Sequence, residues 1–350
     1  MQRLTNIAAQ LCSPEQPLGA VMRQLNQLLH QFVIVVDTGK KPVGTVTDGD
    51  VRRAVLAGAT LDTAIADVMN SSSLVAAIDE PAAAYRMLER VSFLPIVDRR
   101  GALVEIWHVA AGGKRGIHTA LVMAGGYGRR LGARTEKDPK PLLPVAGKPI
   151  LDHILDWLDT SGIGEIYVST HYLADRIKEF LQNRRGATQP KALYEHTLLG
   201  TAGALSQLKE PIKGPVLVVN GDVLTKLDLD ALANFHHTHG YDGTVAVTPY
   251  RISVPFGVIR KDEVGQFDRI DEKPTYTHFV AAGIYLLAPQ FCRLVPPDTR
   301  IDMPELLNLG RQAGLKIGLF PIHEYWIDVG RADDLDAANR DHASPDHPVR

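Results

Sequence analysis

Between Leu121 and Leu151 the chain reads LVMAGGYGRRLGARTEKDPKPLLPVAGKPIL. An apolar run enters a turn built on Gly125, Gly126 and Gly128, with arginines and lysines close behind. Glycines let backbone N–H groups come near a phosphate or a base, and the cations that follow can neutralise a polyphosphate. Further along, Val218-Val219-Asn220-Gly221-Asp222 and Trp326-Ile327-Asp328 are apolar strands ending in a carboxylate, and Asp271-Glu272-Lys273-Pro274 packs three charges into one turn. Together these residue types point to nucleotide chemistry.

Two common phosphate loops are excluded by composition. A dinucleotide fingerprint needs Gly-x-Gly-x-x-Gly, and Leu131 stands where the third glycine belongs. A P-loop needs Gly-x-x-x-x-Gly-Lys-Ser/Thr. Here Leu142 replaces its first glycine, and Pro149 follows Gly147-Lys148.

The stretch resembles the signature of sugar-phosphate nucleotidyltransferases: Gly-Gly-x-Gly-x-Arg-Leu, then Pro-Lys-Pro, then Gly-Lys-Pro. These are Gly125–Leu131, Pro139-Lys140-Pro141 and Gly147-Lys148-Pro149. Arg129 departs from it, because the family usually has Thr or Ser there. The resemblance implies that Arg130, Lys140 and Lys273 are catalytic, and that Ala124, Gly125, Gly126 and Gly128 cradle the nucleotide. It implies that Glu195, with Gly200, Thr201, Ala202 and Gly203, edges the base and ribose. Asn220, Glu272 and Gly283 would contact the sugar, and Asp222 and Asp328 would hold Mg²⁺, a hard cation that takes oxygen ligands. The expected reaction joins a nucleoside triphosphate to a sugar 1-phosphate and releases pyrophosphate.

The Leu199-Gly200-Thr201-Ala202-Gly203 element is similar to the guanylyltransferase branch, which implies GTP. The layout with an upstream repeat resembles guanylyltransferases of nonulosonic (legionaminic) acid pathways, which implies glucosamine 1-phosphate. Mannose- or heptose-1-phosphate guanylyltransfer, uridylyltransfer, or nucleotide sensing without catalysis are the alternatives.

For these residues to meet, strand ends must be brought together. From Ile117 onward strand-like and helix-like segments alternate: strands at 120–124, 165–170, 215–220 and 243–249, and helices at 150–160, 174–183, 201–208 and 229–239. That rhythm predicts a Rossmann-like α/β domain over 117–342, its mostly parallel sheet covered on both faces and its ligands at the carboxyl ends of strands. Residues 256–271 read as an inserted hairpin. His236, His237 and His239, at the end of one predicted helix, read as helix-terminal or solvated groups rather than metal ligands.

Upstream, a repeat of about sixty residues recurs. VIVVDTGKKPVGTVTDGDVRR begins at Val33 and FLPIVDRRGALVEIWHVA at Phe93, each behind an amphipathic helix, near 18–29 and 81–91. The repeat resembles a tandem pair of CBS domains, an α+β unit over 1–112 with halves near 1–58 and 59–112. By that resemblance Thr47 faces a phosphate and Asp50 the ribose of an adenine nucleotide, and the pair joins copies into a homo-oligomer. The second copy has Val104, Trp107 and His108 in place of Gly44, Thr47 and Asp48, so at most one nucleotide site per pair is expected.

Composition limits the remaining classes. The chain carries 38 Lys and Arg against 40 Asp and Glu, too balanced for a nucleic-acid binder. No apolar stretch is long enough for a membrane span, the first residues lack a signal-peptide core, and two cysteines cannot make a disulfide framework. A cytoplasmic protein is expected, with a joint at Ala111–Gly116 and a disordered tail over 343–350.

Overall fold

The computed structural model describes residues 1–28, 31–88, 90–109, 116–208 and 211–343. All of the predicted joint except Gly116, and the predicted tail from 344, lie outside the described residues. The chain forms two compact units, 1–114 and 115–350.

In the first unit each repeat is a helix, a strand, an Asp turn and an antiparallel strand. The first has Leu18–Gln27, Phe32–Val36 and Pro42–Thr47, and the second Pro81–Leu88, Phe93–Val97 and Leu103–His108. Asp37 accepts from the N–H groups of Gly39 and Lys41, and Asp98 accepts from Arg100 and Ala102. The same local chemistry therefore turns the chain twice. The repeats meet through stacked Phe32 and Phe93, 4.0 Å between ring centroids, over a core of Ile34, Leu103 and Ile106. Trp107, one of the residues that departs from the first copy, is buried and donates from Nε1 to Glu105 Oε1 at 2.7 Å. The side chain that replaced a threonine there serves the core.

The second unit is built on a seven-stranded sheet. Its spatial order is Lys191–Tyr194, Glu165–Thr170, Thr119–Met123, Val216–Asn220, Thr275–Leu287, Gly243–Ser253, Ile317–Pro321. Only Thr275–Leu287 runs antiparallel to its neighbours, so the sheet is mostly parallel as expected. The strands are continuous apolar runs because helices cover them. Helix Ile150–Thr160 buries Ile150, Leu151, Ile154, Leu155 and Leu158, each contributing roughly 1.5–3 kcal/mol of transfer free energy. Among the described residues no helix is long and apolar enough to cross a membrane.

One element differs from its prediction. The expected α-helix at 201–208 is a shorter 3₁₀ turn, Gly203–Gln207. Gly200 has φ +78°, and glycines at 200 and 203 weaken a regular helix start. The predicted hairpin is present, as strands Val258–Lys261 and Phe267–Asp271 with an irregularity beside Lys261.

Candidate active site

Strands Thr119–Met123 and Val216–Asn220 lie side by side and parallel, and their carboxyl ends open onto the same crevice. From the first issues the glycine-rich turn. Ala124 is buried and donates its N–H to Ser169 O at 3.0 Å. Gly128 has φ +64°, and a Cβ there would lie 3.0 Å from both Lys140 Cβ and Thr135 Cγ2, so the turn closes only on glycine. Around Gly126, by contrast, a Cβ would meet nothing within 4 Å. That space is open to a ligand.

From the second strand issues Gly221, whose N–H donates to Met123 O at 2.9 Å. A Cβ at this position would stand 2.6 Å from that oxygen. The close approach sets Asp222 beside the glycine-rich turn. Strand Trp326–Asp328 pairs antiparallel with Val223–Thr225, Val223 opposite Asp328, and Val329 N–H donates to Asp222 O at 2.9 Å. This small ribbon brings the two aspartates together. Lys140, in the 3₁₀ turn Lys140–Leu142 behind Pro139, ion-pairs with Asp222 Oδ2 and lies 4.0 Å from Asp328 Oδ1.

Burial, and next the like charge of Asp222, push the Asp328 carboxyl up to about 6. Its side chain is still 49% exposed, so water screens part of that push. Asp222 Oδ1 is buried without a hydrogen-bond partner. Among the described residues no three His, Cys, Asp or Glu side chains gather as a metal cage. Two repelling carboxylates with one orphaned oxygen suit a hard divalent cation that completes its shell with phosphate and water oxygens. The residues fit such an ion.

Asn220 and Gly283 also meet. Gly283 has φ +72°, and a Cβ on it would lie 2.7 Å from Asn220 Nδ2. Trp326 Nε1 donates to Ala282 O at 2.8 Å, tying this strand to the Asp328 ribbon. Glu272 and Lys273 lie apart, exposed in the turn after the hairpin, with Lys273 at φ +44°. Among the described residues no hydrogen bond or ion pair joins them to the aspartates.

Glu195 is buried at 1% exposure, its Oε2 accepting from Leu199 N–H at 2.9 Å. Its Oε1 lies 3.2 Å from where a Gly125 Cβ would be, so the carboxylate faces the glycine-rich turn. The neighbouring Gly200–Gly203 element is held from behind. Thr201 N–H donates to Asp302 Oδ1 at 3.0 Å and Ala202 N–H to Ile301 O at 3.1 Å. A Cβ at Gly203 would stand 2.7 Å from Leu199 Cβ and 2.8 Å from Thr299 O. The Thr201 and Ala202 N–H groups are therefore engaged by residues 301 and 302 of the chain itself.

Sequence reasoning passed over Tyr172 and Asp302. Tyr172 Oη donates to Thr135 O at 3.2 Å and closes the far end of the turn, while its ring packs on Tyr127, 5.2 Å away. Arg129 lies over the Tyr127 ring at 4.9 Å. Its odd residue type therefore has a local partner, a cation–π contact. Neither Tyr172 nor Asp302 belongs to a glycine or charge motif, so no local signal marked them.

Of the clustered histidines, His236 and His239 have partners within their own unit. His236 is buried with Nδ1 2.9 Å from Thr244 Oγ1, and burial, then the neighbouring His237, lower its pKa to about 4. His239 Nδ1 lies 2.9 Å from Phe235 O.

In the first unit, Thr47 and Asp50 meet at the start of helix Asp48–Leu56, but as a capping box. Asp50 Oδ2 accepts from Thr47 N–H at 2.8 Å and from Thr47 Oγ1 at 2.6 Å, and Oδ1 pairs with Arg53. Both oxygens are engaged, so a ribose would have to displace Arg53 or the cap.

Residues 119–344 match the family model described as nucleotidyl transferase, and residues 9–57, the first of the two repeats, match that of the CBS domain. The chain is 31% identical over 224 residues to the mannose-1-phosphate guanylyltransferase catalytic subunit beta of Drosophila pseudoobscura pseudoobscura, covering 62% of this chain and 60% of that protein. It is 30% identical to the same subunit of Xenopus tropicalis over 225 residues, 62% of each. The chain thus spans about three fifths of the length of these relatives. Among solved structures it is similar to HddC from Yersinia pseudotuberculosis, with TM-score 0.52, 25% identity, and coverage of 65% of this chain and 100% of that one. HddC complexed with GMP-PN gives 0.51 at 23% identity, over the same shares of the two chains, a likeness of fold.

Proposed function

The chain belongs to the nucleotidyl transferase family, and from that premise we propose that it is a guanylyltransferase joining GTP to a hexose 1-phosphate with release of pyrophosphate. Glu195 carries this reading. Guanine presents two adjacent donors, N1–H and the 2-amino group, and a buried carboxylate facing the glycine-rich turn accepts from them. Uracil offers a single ring N–H flanked by carbonyls, which a carboxylate opposes. The relatives named as mannose-1-phosphate guanylyltransferases favour mannose 1-phosphate as the acceptor. Glucosamine 1-phosphate, which the domain layout suggests, is the competing sugar. We place the reaction in the cytoplasm, where nucleoside triphosphates are abundant.

The acceptor phosphate is already anionic near neutral pH, so its oxygen needs no strong base to attack the α-phosphorus. The task is to align two polyanions, and catalysis is positioning and charge neutralisation. The open space at Gly126 leaves room for the triphosphate on the backbone of the turn. Arg130 and Lys140 neutralise it, Lys273 grips the sugar phosphate, and Asn220, Glu272 and the Gly283 backbone orient the sugar. Members of the family work with a divalent metal ion. We take it to be Mg²⁺, held by Asp222 and Asp328 and supplying charge neutralisation at the phosphates.

The CBS-bearing unit is read as a regulator that binds an adenine nucleotide at Thr47 and Asp50 and joins copies of the chain. Release of Asp50 from Arg53 on AMP or ATP binding would show as a thermal shift absent in Asp50→Ala.

The central test is a matrix of the four nucleoside triphosphates against mannose, glucosamine, glucose and heptose 1-phosphates, read by pyrophosphate release. GTP with mannose 1-phosphate should give the highest kcat/KM. Preference for UTP or dTTP would overturn the guanine assignment, and no turnover with any pair would leave a nucleotide-binding protein.

A further inference from the structure

Where the divalent ion would sit, the protein already holds a cation of its own. The Lys140 ammonium is ion-paired with Asp222 and stands 4.0 Å from Asp328, with its side chain only 14% exposed. One positive charge against two carboxylates leaves a net negative charge, and Asp222 Oδ1 still lacks a partner. The pair is thus held together without being neutralised.

The lysine is also placed to leave. Its Cβ packs beneath the glycine-rich turn, 3.0 Å from where a Gly128 Cβ would lie, and its backbone is fixed by the turn in which Leu142 N–H donates to Pro139 O at 2.8 Å. A flexible four-carbon stem on a fixed root can swing its ammonium between the aspartates and an anion lying on the turn.

We propose that Lys140 is an exchangeable resident cation that a divalent metal must displace from Asp222 and Asp328. It blocks the pair in the nucleotide-free protein, and it frees the pair when a phosphate on the glycine-rich turn draws the ammonium away. Metal and nucleotide then favour each other's binding, because each is admitted by the same movement of Lys140. This rests on reading Asp222 and Asp328 as the metal pair, and the test separates the two.

Mn²⁺ binding to the full-length, nucleotide-free protein is measured by electron paramagnetic resonance of the free ion. Lys140→Met removes the ammonium while keeping the stem, and should tighten Mn²⁺ binding at least tenfold over wild type. Arg130→Ala, which removes a cation outside the pair, should change it less than threefold. A gain below tenfold in Lys140→Met, or an equal gain in Arg130→Ala, overturns the exchange. If Lys140→Met does not fold, Lys140→Gln carries the same comparison. Adding Asp222→Asn to Lys140→Met should abolish the gain. Mn²⁺ binding that survives there would instead refute the metal pair itself.

Discussion

Replacing Glu195 by Gln tests the base assignment with the smallest change of shape. Its Oε2 holds Leu199 N–H at 2.9 Å, and an amide oxygen can keep that bond. The other atom, 3.2 Å from the Cβ position of Gly125, then becomes an amino group facing the donor edge of guanine. One charge-assisted hydrogen bond is lost, about 1.5–3 kcal/mol, and two donors are set against each other. At 1.36 kcal/mol per decade, kcat/KM for GTP should fall roughly 10²-fold. Most of the loss should appear in KM, because the base is bound equally in ground and transition states. The assay is pyrophosphate release from GTP, UTP and ATP at saturating sugar 1-phosphate, wild type against variant. UTP should be used as well as before or better. GTP kcat/KM within threefold of wild type, or an equal fall for all three nucleotides, would refute the reasoning.

Arg130→Ala should lower turnover by roughly 10²–10³-fold, the scale for losing one preorganised charge donor, and a drop under threefold in initial rate removes Arg130 from the mechanism. His236 is neutral in the fold down to about pH 4. As pH falls below about 6.5 the unfolded chain gains a proton that the fold refuses, so stability declines between about 6.5 and 4, by roughly 3 kcal/mol in all. Denaturant melts of His236→Asn across that window should show a flatter profile than wild type, and parallel profiles would refute the assignment. Arg184 is 3% exposed and bonds Asp152, Asp156 and Asp159 of helix Ile150–Thr160. Arg184→Ala removes the counter-charge of the 9%-exposed Asp159, which keeps only the N–H groups of Ala187 and Thr188, and should cost about 2 kcal/mol, a fall in Tm of roughly 4–8 °C by calorimetry.

Much of the second unit was legible because its signals are local. Helices Ile150–Thr160 and Ala174–Asn183 and strand Glu165–Thr170 fall where apolar periodicity placed them. The glycine-rich turn was readable because Gly128 answers a backbone need within its own segment. Near Gly200–Gly203 only the helix expectation failed: those glycines lie against Thr299–Asp302, a segment distant in sequence, and the helix is a short 3₁₀ turn. Thr47 and Asp50 were paired correctly, but spacing cannot tell a capping box from a ribose site, since both need a hydroxyl and a carboxylate three residues apart.

By itself the sequence determined which groups the protein possesses: a phosphate-sized glycine turn, its cations and strand-end carboxylates. It determined the alternation that makes a mostly parallel sheet. Tertiary structure alone decided which of them meet. Asp222 and Asp328 share one site because Val223–Thr225 pairs with Trp326–Asp328. Lys140 lies on them because Gly128 allows its turn to pack beneath the loop. Charge acts through distance, and distances between remote segments are set by the register of strands rather than by the spacing of residues along the chain.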